Sequence, residues 1–195
     1  MSPFFIFWEV AMETITEEKK KRAGELYEWV EMLVLALVVV VFVFSFILRV
    51  VTISGPSMTP TLLDGQRVIV SNFFYQPKVG DVVVFSLREQ SEPYIKRIIA
   101  VEGQTVDFDK ESARLIVDGQ PLEEPYINEV MVNYDMWYNE SYFPVTVGED
   151  QYFACGDNRN HSYDSRYQSV GLVDREEIVG RALWVIYPFS AFGGV

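Results

Sequence analysis

Ser57 stands in "SGPSMTPTL", residues 54 to 62, with a proline on its amino-terminal side at 56 and another at 60. Two prolines so close remove backbone freedom, which holds a serine hydroxyl in one pose. A serine nucleophile needs that fixity, and it needs a base to take its proton. The chain has one histidine, His161, the usual partner of such a serine. The other option is a lysine kept neutral by burial next to apolar groups, because desolvation penalises the ammonium. Lys96 in "EPYIKRIIAV" is the best placed. Tyr94, Ile95, Ile98 and Ile99 surround it in a strand-like pattern, so one of Lys96 and Arg97 faces inward. An arginine cannot act as a base at physiological pH, which leaves Lys96 for that chemistry. A lysine at a strand edge with a solvated head is the plainer alternative.

The other polar concentration is "GDNRNHSYDSR", Gly156 to Arg166, directly after the apolar "YFAC". It reads either as a solvated loop or as a buried hydrogen-bond network lining a site. Asp164 and Arg166 are spaced to form an ion pair. The single cysteine, Cys155, excludes an internal disulfide and reads as a small apolar strand residue. One cysteine and one histidine cannot build the usual zinc ligand sets, so no metal and no cofactor is expected.

These residues need elements to hold them. Met32 to Leu48, "MLVLALVVVVFVFSFIL", has no charge, glycine or proline, and apolar residues continue through Ile53. As a helix the run is ~26 Å long, close to the hydrocarbon thickness of a bilayer. The stretch has no polar face to suit a core helix, and no small-x-small cleavage site follows it, so a retained membrane anchor over residues 26–51 is expected. The "KKKR" cluster at 19–22 precedes the run. By the positive-inside rule residues 1–25 are then cytoplasmic and residues 52–195 extracytoplasmic. The opening "FFIFW" is too short to span and is expected at the interface or without order.

Beyond the anchor, "QRVIV", "DVVVF", "YIKRIIAV", "RLIV", "QYFAC" and "IVGRALWVIYP" recur between turn signals. This spacing predicts a mostly β, antiparallel domain. Residues from about 107 to 150 lack a clear period and read as a smaller inserted cap. A net charge of -12 excludes duplex nucleic acid as a partner, since phosphate binding needs clustered Lys and Arg. The lipid bilayer is the expected partner instead.

"SGPSMTPTL", "GDVVVF", "YIKRIIAVEGQTV" and "GDNRNHSYDSR", in this order behind an anchor, closely resemble the sequence boxes of bacterial type I signal peptidase. The ending "VGLVDREEIVGRALWVIYPF" is similar to the family's closing segment. The resemblance implies a Ser-Lys endopeptidase that removes signal peptides from exported preproteins, usually after small-x-small. It implies Ser57 as nucleophile, Lys96 as general base, Ser162 as the serine that orients the lysine, and Asp164 with Arg166 as a supporting ion pair. It also implies that Ile53, Gly55, Met58, Leu62, Tyr94 and Ile95 are substrate-binding residues and that the Ser57 N–H donates to the oxyanion. The family often adds a donor from the side chain two positions before the nucleophile. Here that residue is Gly55, so another donor or a water is expected. After "KR" the family usually reads Gly-x-Pro-Gly-Asp, whereas this chain has Ala100, Glu102, Gly103 and Gln104. The turn is therefore expected to be altered, with the strand running on. His161 replaces another polar residue and keeps a Ser57–His161 pair open, as in eukaryotic relatives. The alternatives are a self-cleaving repressor-type protease, a non-enzymatic bitopic protein with an outer β binding domain, and a peptidase specialised for a single cargo.

Overall fold

Leu48 to Thr52 ("LRVVT") is where a run of apolar residues stops being helix. The computed structural model, which describes residues 3–87, 92–132, 134–136, 138, 139 and 141–195, contains one α-helix, α1 (Pro3–Phe46), followed after Ile47 by strand β1 (Leu48–Thr52). The helix begins at Pro3, so the opening aromatic residues belong to it. It stops five residues short of the anchor end expected from hydropathy. Val50, Val51 and Thr52 are β-branched, and β1 finds a partner in β2 (Arg67–Ser71), with Leu48 opposite Ser71 and Thr52 opposite Arg67. A ladder along five residues offers the backbone what a further helical turn would, with side chains that suit a strand. The part of α1 long and apolar enough to cross a membrane is Gly24–Ser45.

The remaining strands are β3 (Val82–Phe85), β4 (Tyr94–Val101), β5 (Thr105–Asp109), β6 (Arg114–Val117), β7 (Gln120–Pro121), β8 (Val145–Thr146), β9 (Gln151–Cys155), β10 (Val173–Asp174), β11 (Ile178–Tyr187) and β12 (Gly193–Gly194). Among the described residues they form two antiparallel sheets. The larger runs β1-β2-β11-β3-β4-β9-β10, with β12 against β11. The smaller runs β7-β6-β5-β8. The fold is mostly β and antiparallel, as the strand spacing implies.

β11 carries register shifts at Ile178/Gly180, Ala182/Trp184 and Val185/Tyr187, and β4 carries another at Ile98/Ala100 against β9. At Gly180 a Cβ would lie 2.6 Å from the Ser71 carbonyl oxygen, so only glycine fits where β11 crosses β2. β4 does not run on past its expected turn. It ends at Val101, and the Gln104 N–H donates to the Val101 carbonyl to close a turn through Gly103, whose φ of +80° suits glycine. The turn is built from Glu102 and Gly103 in place of the proline-glycine pair.

The aperiodic stretch after 107 is ordered by aromatic packing. Phe108, Phe143 and Val147 join Ile99 of β4 and Phe153 of β9 in one buried cluster. The Phe108 and Tyr134 rings lie 5.1 Å apart and the Tyr138 and Phe143 rings stack at 5.8 Å. Burying each aromatic body is worth about 1.5–3 kcal/mol, enough to hold strands as short as β7 and β8. A second cluster, with Ile53, Met58, Leu62, Val68, Val70, Val82 and Ile95, lies beneath the segment that carries Ser57.

Candidate active site

Ser57 lies in the connection between β1 and β2. The Ile53 N–H donates to the Gln66 carbonyl and the Gly65 N–H to the Ile53 carbonyl, so the connection is pinched at its base. Within it the Leu62 N–H bonds back to the Met58 carbonyl, which puts both side chains on one side. Both are completely buried. Ser57 is thus held from below by two core side chains as well as by flanking prolines. Gly55 has a φ of +82°, and its N–H donates to Asp64 Oδ1 at 2.8 Å.

Lys96 reaches the same point from β4. Its Nζ donates to Ser57 Oγ at 2.9 Å and to the Ile95 carbonyl at 2.9 Å. The residue is buried, 3% exposed. Burial pushes the ammonium down from 10.5 to about 8, although the Asp164 carboxylate pulls the other way. A useful fraction of the amine is therefore neutral near physiological pH, as a general base requires. Arg97, its neighbour, is half-buried and makes a two-point pair with Asp157, Nε to Oδ1 at 2.9 Å and Nη2 to Oδ2 at 2.7 Å. Thr61 Oγ1 also donates to Asp157. This pair ties β4 to the Ser57 connection and to the segment after β9 at once, a role the sequence reading did not assign to Arg97 or Asp157.

"GDNRNHSYDSR" is a network, largely buried. Asp164 and Arg166 are fully buried and joined at 2.8 Å. Burial alone would raise the Asp164 carboxyl, but the Arg166 guanidinium and hydrogen bonds from Ser162 and Gly156 outweigh it and hold the group at about 2. Ser162 Oγ donates to Asp164 Oδ2 at 2.6 Å. The hydrogen bonds of Lys96 Nζ run to Ser57 and Ile95 instead, so Ser162 approaches the pair through its neighbours. Gly156 is the contact point. A Cβ there would lie 2.3 Å from Ser162 Oγ and 2.4 Å from the Ser57 carbonyl oxygen. The Asn158 N–H donates to that same carbonyl at 3.0 Å. His161 is exposed, with Nδ1 3.2 Å from Asn158 Oδ1. Cys155 is buried and its thiol is pushed up by that burial, which suits an inert core residue.

An open cleft of about 490 Å³ lies over the pair. One wall is Val51, Thr52 and residues 54–57, and the other is residues 92–96 with Val84 and Tyr163. Of the expected pocket residues, Gly55, Tyr94 and Ile95 line it. Ile53, Met58 and Leu62 lie in the core below and do not reach it. Thr52, Ser54, Glu92 and Tyr163 were not expected there. The short-range pattern gives strand faces but not which wall they meet, so nothing in the sequence singled them out. Among the described residues no group of His, Cys, Asp and Glu side chains is arranged to hold a metal ion.

Residues 26–187 match the family described as signal peptidase, peptidase S26. The chain is 33% identical to the signal peptidase I of Bacillus licheniformis, over 90% of this chain and 97% of that one. It is 35% identical to signal peptidase IB of Staphylococcus aureus, over 86% of this chain and 93% of that one. A crystal structure of a signal peptidase I from Enterococcus faecalis is 28% identical, with a TM-score of 0.44 over 55% of this chain and 97% of the other. With the match running through both halves of the cleft and relatives above 30% identity along nearly the whole length, this chain belongs to the signal peptidase family, peptidase S26, and is an enzyme of the signal peptidase I kind.

Proposed function

We propose that this protein is a membrane-bound serine endopeptidase that cleaves signal peptides from exported preproteins after a small-x-small site, with Ser57 as nucleophile and Lys96 as general base. The observation that carries this reading is the 2.9 Å contact between Ser57 Oγ and the Nζ of a buried lysine. The helical Gly24–Ser45 segment acts as the anchor, with the amino terminus on the cytoplasmic side where "KKKR" lies and the β-domain on the other.

The substrate binds as an extended strand. β1 ends the larger sheet, so its outer edge has backbone groups to offer, and the cleft walls at 51–57 and 92–96 are extended segments. Pro93 donates no hydrogen bond, which limits pairing on that wall. Neutral Lys96 takes the Ser57 proton as the hydroxyl attacks the scissile carbonyl. Lys96 then gives that proton to the leaving amine, and an acyl-enzyme remains. Water, deprotonated by the same lysine, releases the signal peptide and restores Ser57. The oxyanion takes the Ser57 N–H. Gly55 has no hydroxyl and its N–H is committed to Asp64, so the second donor comes from another cleft hydroxyl, such as Ser54, or from water. Tethering enzyme and preprotein to one bilayer raises their effective concentration without further contacts.

The test compares cleavage of an Ala-x-Ala preprotein by detergent-solubilised wild type, Ser57→Ala, Lys96→Ala and His161→Ala. Loss of cleavage in the first two variants only is the expected result. Loss in His161→Ala with activity in Lys96→Ala would replace the base, and a folded but inert wild type would overturn the peptidase reading.

A further inference from the structure

The aperiodic stretch after β7 reaches into the site. The Ile127 N–H donates to the Glu124 carbonyl at 3.2 Å and closes a turn with Pro125 at its second position, where a fixed φ is favoured. The turn brings the Glu124 and Tyr126 side chains together, with the Tyr126 hydroxyl donating to Glu124 Oε1 at 3.2 Å. The same carboxylate meets Arg159, from the loop after β9. Arg159 Nη1 donates to Glu124 Oε2 at 2.9 Å and Nη2 pairs with Oε1. The Arg159 side chain is 0% exposed and that of Glu124 is 4% exposed. A two-point pair so fully removed from water holds one geometry, because either partner alone would be an uncompensated buried charge.

Arg159 carries this hold to the nucleophile. Its Nε donates to the Gly156 carbonyl at 3.0 Å, and Gly156 is the residue packed against the Ser57 carbonyl and Ser162 Oγ. Tyr126 does the same for the base. Its half-buried ring lies 4.3 Å from the guanidinium of Arg97, the residue after Lys96 on β4, and 6.0 Å from that of Arg159. A guanidinium over a ring is attracted by the ring's quadrupole, more strongly where water is excluded. The segment continues along the loop. Asn160 accepts the Val132 N–H at 2.8 Å and donates to the Val130 carbonyl at 3.1 Å, and Arg166 Nη1 donates to Met131 Sδ at 3.7 Å. Glu124 and Tyr126 are not among the residues that line the cleft, so their bonds serve the site from behind.

We propose that Glu124 and Tyr126 are positioning residues for the cleavage: Glu124 sets Gly156 against Ser57 through Arg159, and Tyr126 sets the strand that carries Lys96 through Arg97. Together they hold the nucleophile and the base at their 2.9 Å separation from two sides. The inference rests on reading Ser57 and Lys96 as the reacting pair, as the proposed function does.

The experiment measures kcat and KM for an Ala-x-Ala preprotein with the full chain in detergent, and follows folding by circular dichroism on heating. Tyr126→Leu removes the ring, Tyr126→Phe keeps it, and Glu124→Gln removes the charge. Leu115→Ala is the structural control, since Leu115 is completely buried in the aromatic-rich cluster on β6 and not in this bridge. Ser57→Ala tests the underlying reading. Tyr126→Leu and Glu124→Gln are expected to lower kcat about tenfold to a hundredfold with KM within about twofold, because the cleft walls stay while the reacting atoms shift. Tyr126→Phe is expected to restore kcat to within about threefold of wild type, and Leu115→Ala to lower the melting temperature with little change in kcat. If Tyr126→Leu does not fold, Glu124→Gln carries the same expectation. Wild-type kcat in the folded Tyr126→Leu or Glu124→Gln protein, or an equal fall in Leu115→Ala at the same melting temperature, overturns the inference while an inert Ser57→Ala keeps the reading beneath it. A Ser57→Ala protein that cleaves like wild type overturns both.

Discussion

Lys96 is the residue at which stability and chemistry oppose each other. Moving a lysine from 10.5 to about 8 by burial costs about 3 kcal/mol of native stability at neutral pH, because the unfolded chain holds the proton more tightly. The sign follows from proton counts. Between about 8 and 10.5 the unfolded state binds more protons than the native one, so this contribution to stability rises with pH across that window and the full cost is present below it. Lys96→Met, similar in length and without charge, is therefore expected to abolish cleavage and to raise the free energy of unfolding at pH 7 by about 2–3 kcal/mol. Urea unfolding of both proteins in one detergent checks it. In wild type, kcat/KM is expected to rise about tenfold per pH unit below the lysine's value and to level above pH 8. At this scale much was legible. Ser57 between its prolines and Lys96 in its strand were both visible as candidates, and the family resemblance favoured Lys96 over His161 as the base. Burial supports the proposed base, and burial belongs to the folded chain: Lys96 is enclosed by β3 and the Ser57 connection, whereas His161 is left at the surface.

The connection from Ile53 to Gln66 is the element that turns a serine into a fixed one. Leu62 and Met58 anchor it, and they do so from below the cleft. Leu62→Ala is expected to cost about 2–5 kcal/mol by leaving a cavity, and to lower kcat more than it raises KM, since Ser57 loses its pose while the cleft walls remain. Chemical unfolding and steady-state kinetics on one preparation separate the two effects. The same residues show why an apolar side chain near a nucleophile is ambiguous in a sequence: a pocket wall and a buried anchor have one composition. β1 was hidden for a related reason. Ile47 to Val51 continues the apolar run of the helix with Arg49 as its one charge, and its pairing with Arg67–Ser71 marks it as strand. β2, β3, β4, β9 and β11 were legible from their β-branched runs and the turn residues around them. Of the smaller sheet only β6, "RLIV", was legible, because β7 and β8 have two residues each and are held by aromatic contacts far apart in the chain.

Across the whole molecule, the three segments that make the site come from distant parts of the chain and meet at Gly156, Asp157 and Asp164. Arg97 and Thr61 converge on Asp157, and Ser162 and Arg166 converge on Asp164. The buried Asp164–Arg166 pair costs desolvation that its hydrogen bonds return, so its value lies in placing the last segment against Ser57. β1, at the end of the larger sheet, has a further consequence for how the protein behaves when no preprotein is near. Among the described residues β1 has no neighbour on its outer side; such a strand accepts an extended chain that reaches it, and a second copy of this enzyme brings such a strand. Purified enzyme is expected to self-associate with rising concentration, and a non-cleavable small-x-small peptide is expected to dissolve those assemblies; light scattering with and without the peptide reads both. If the proposed substrate edge is this one, the strand that takes a preprotein is also the place where copies of the enzyme meet, so occupancy by peptide is expected to keep them apart.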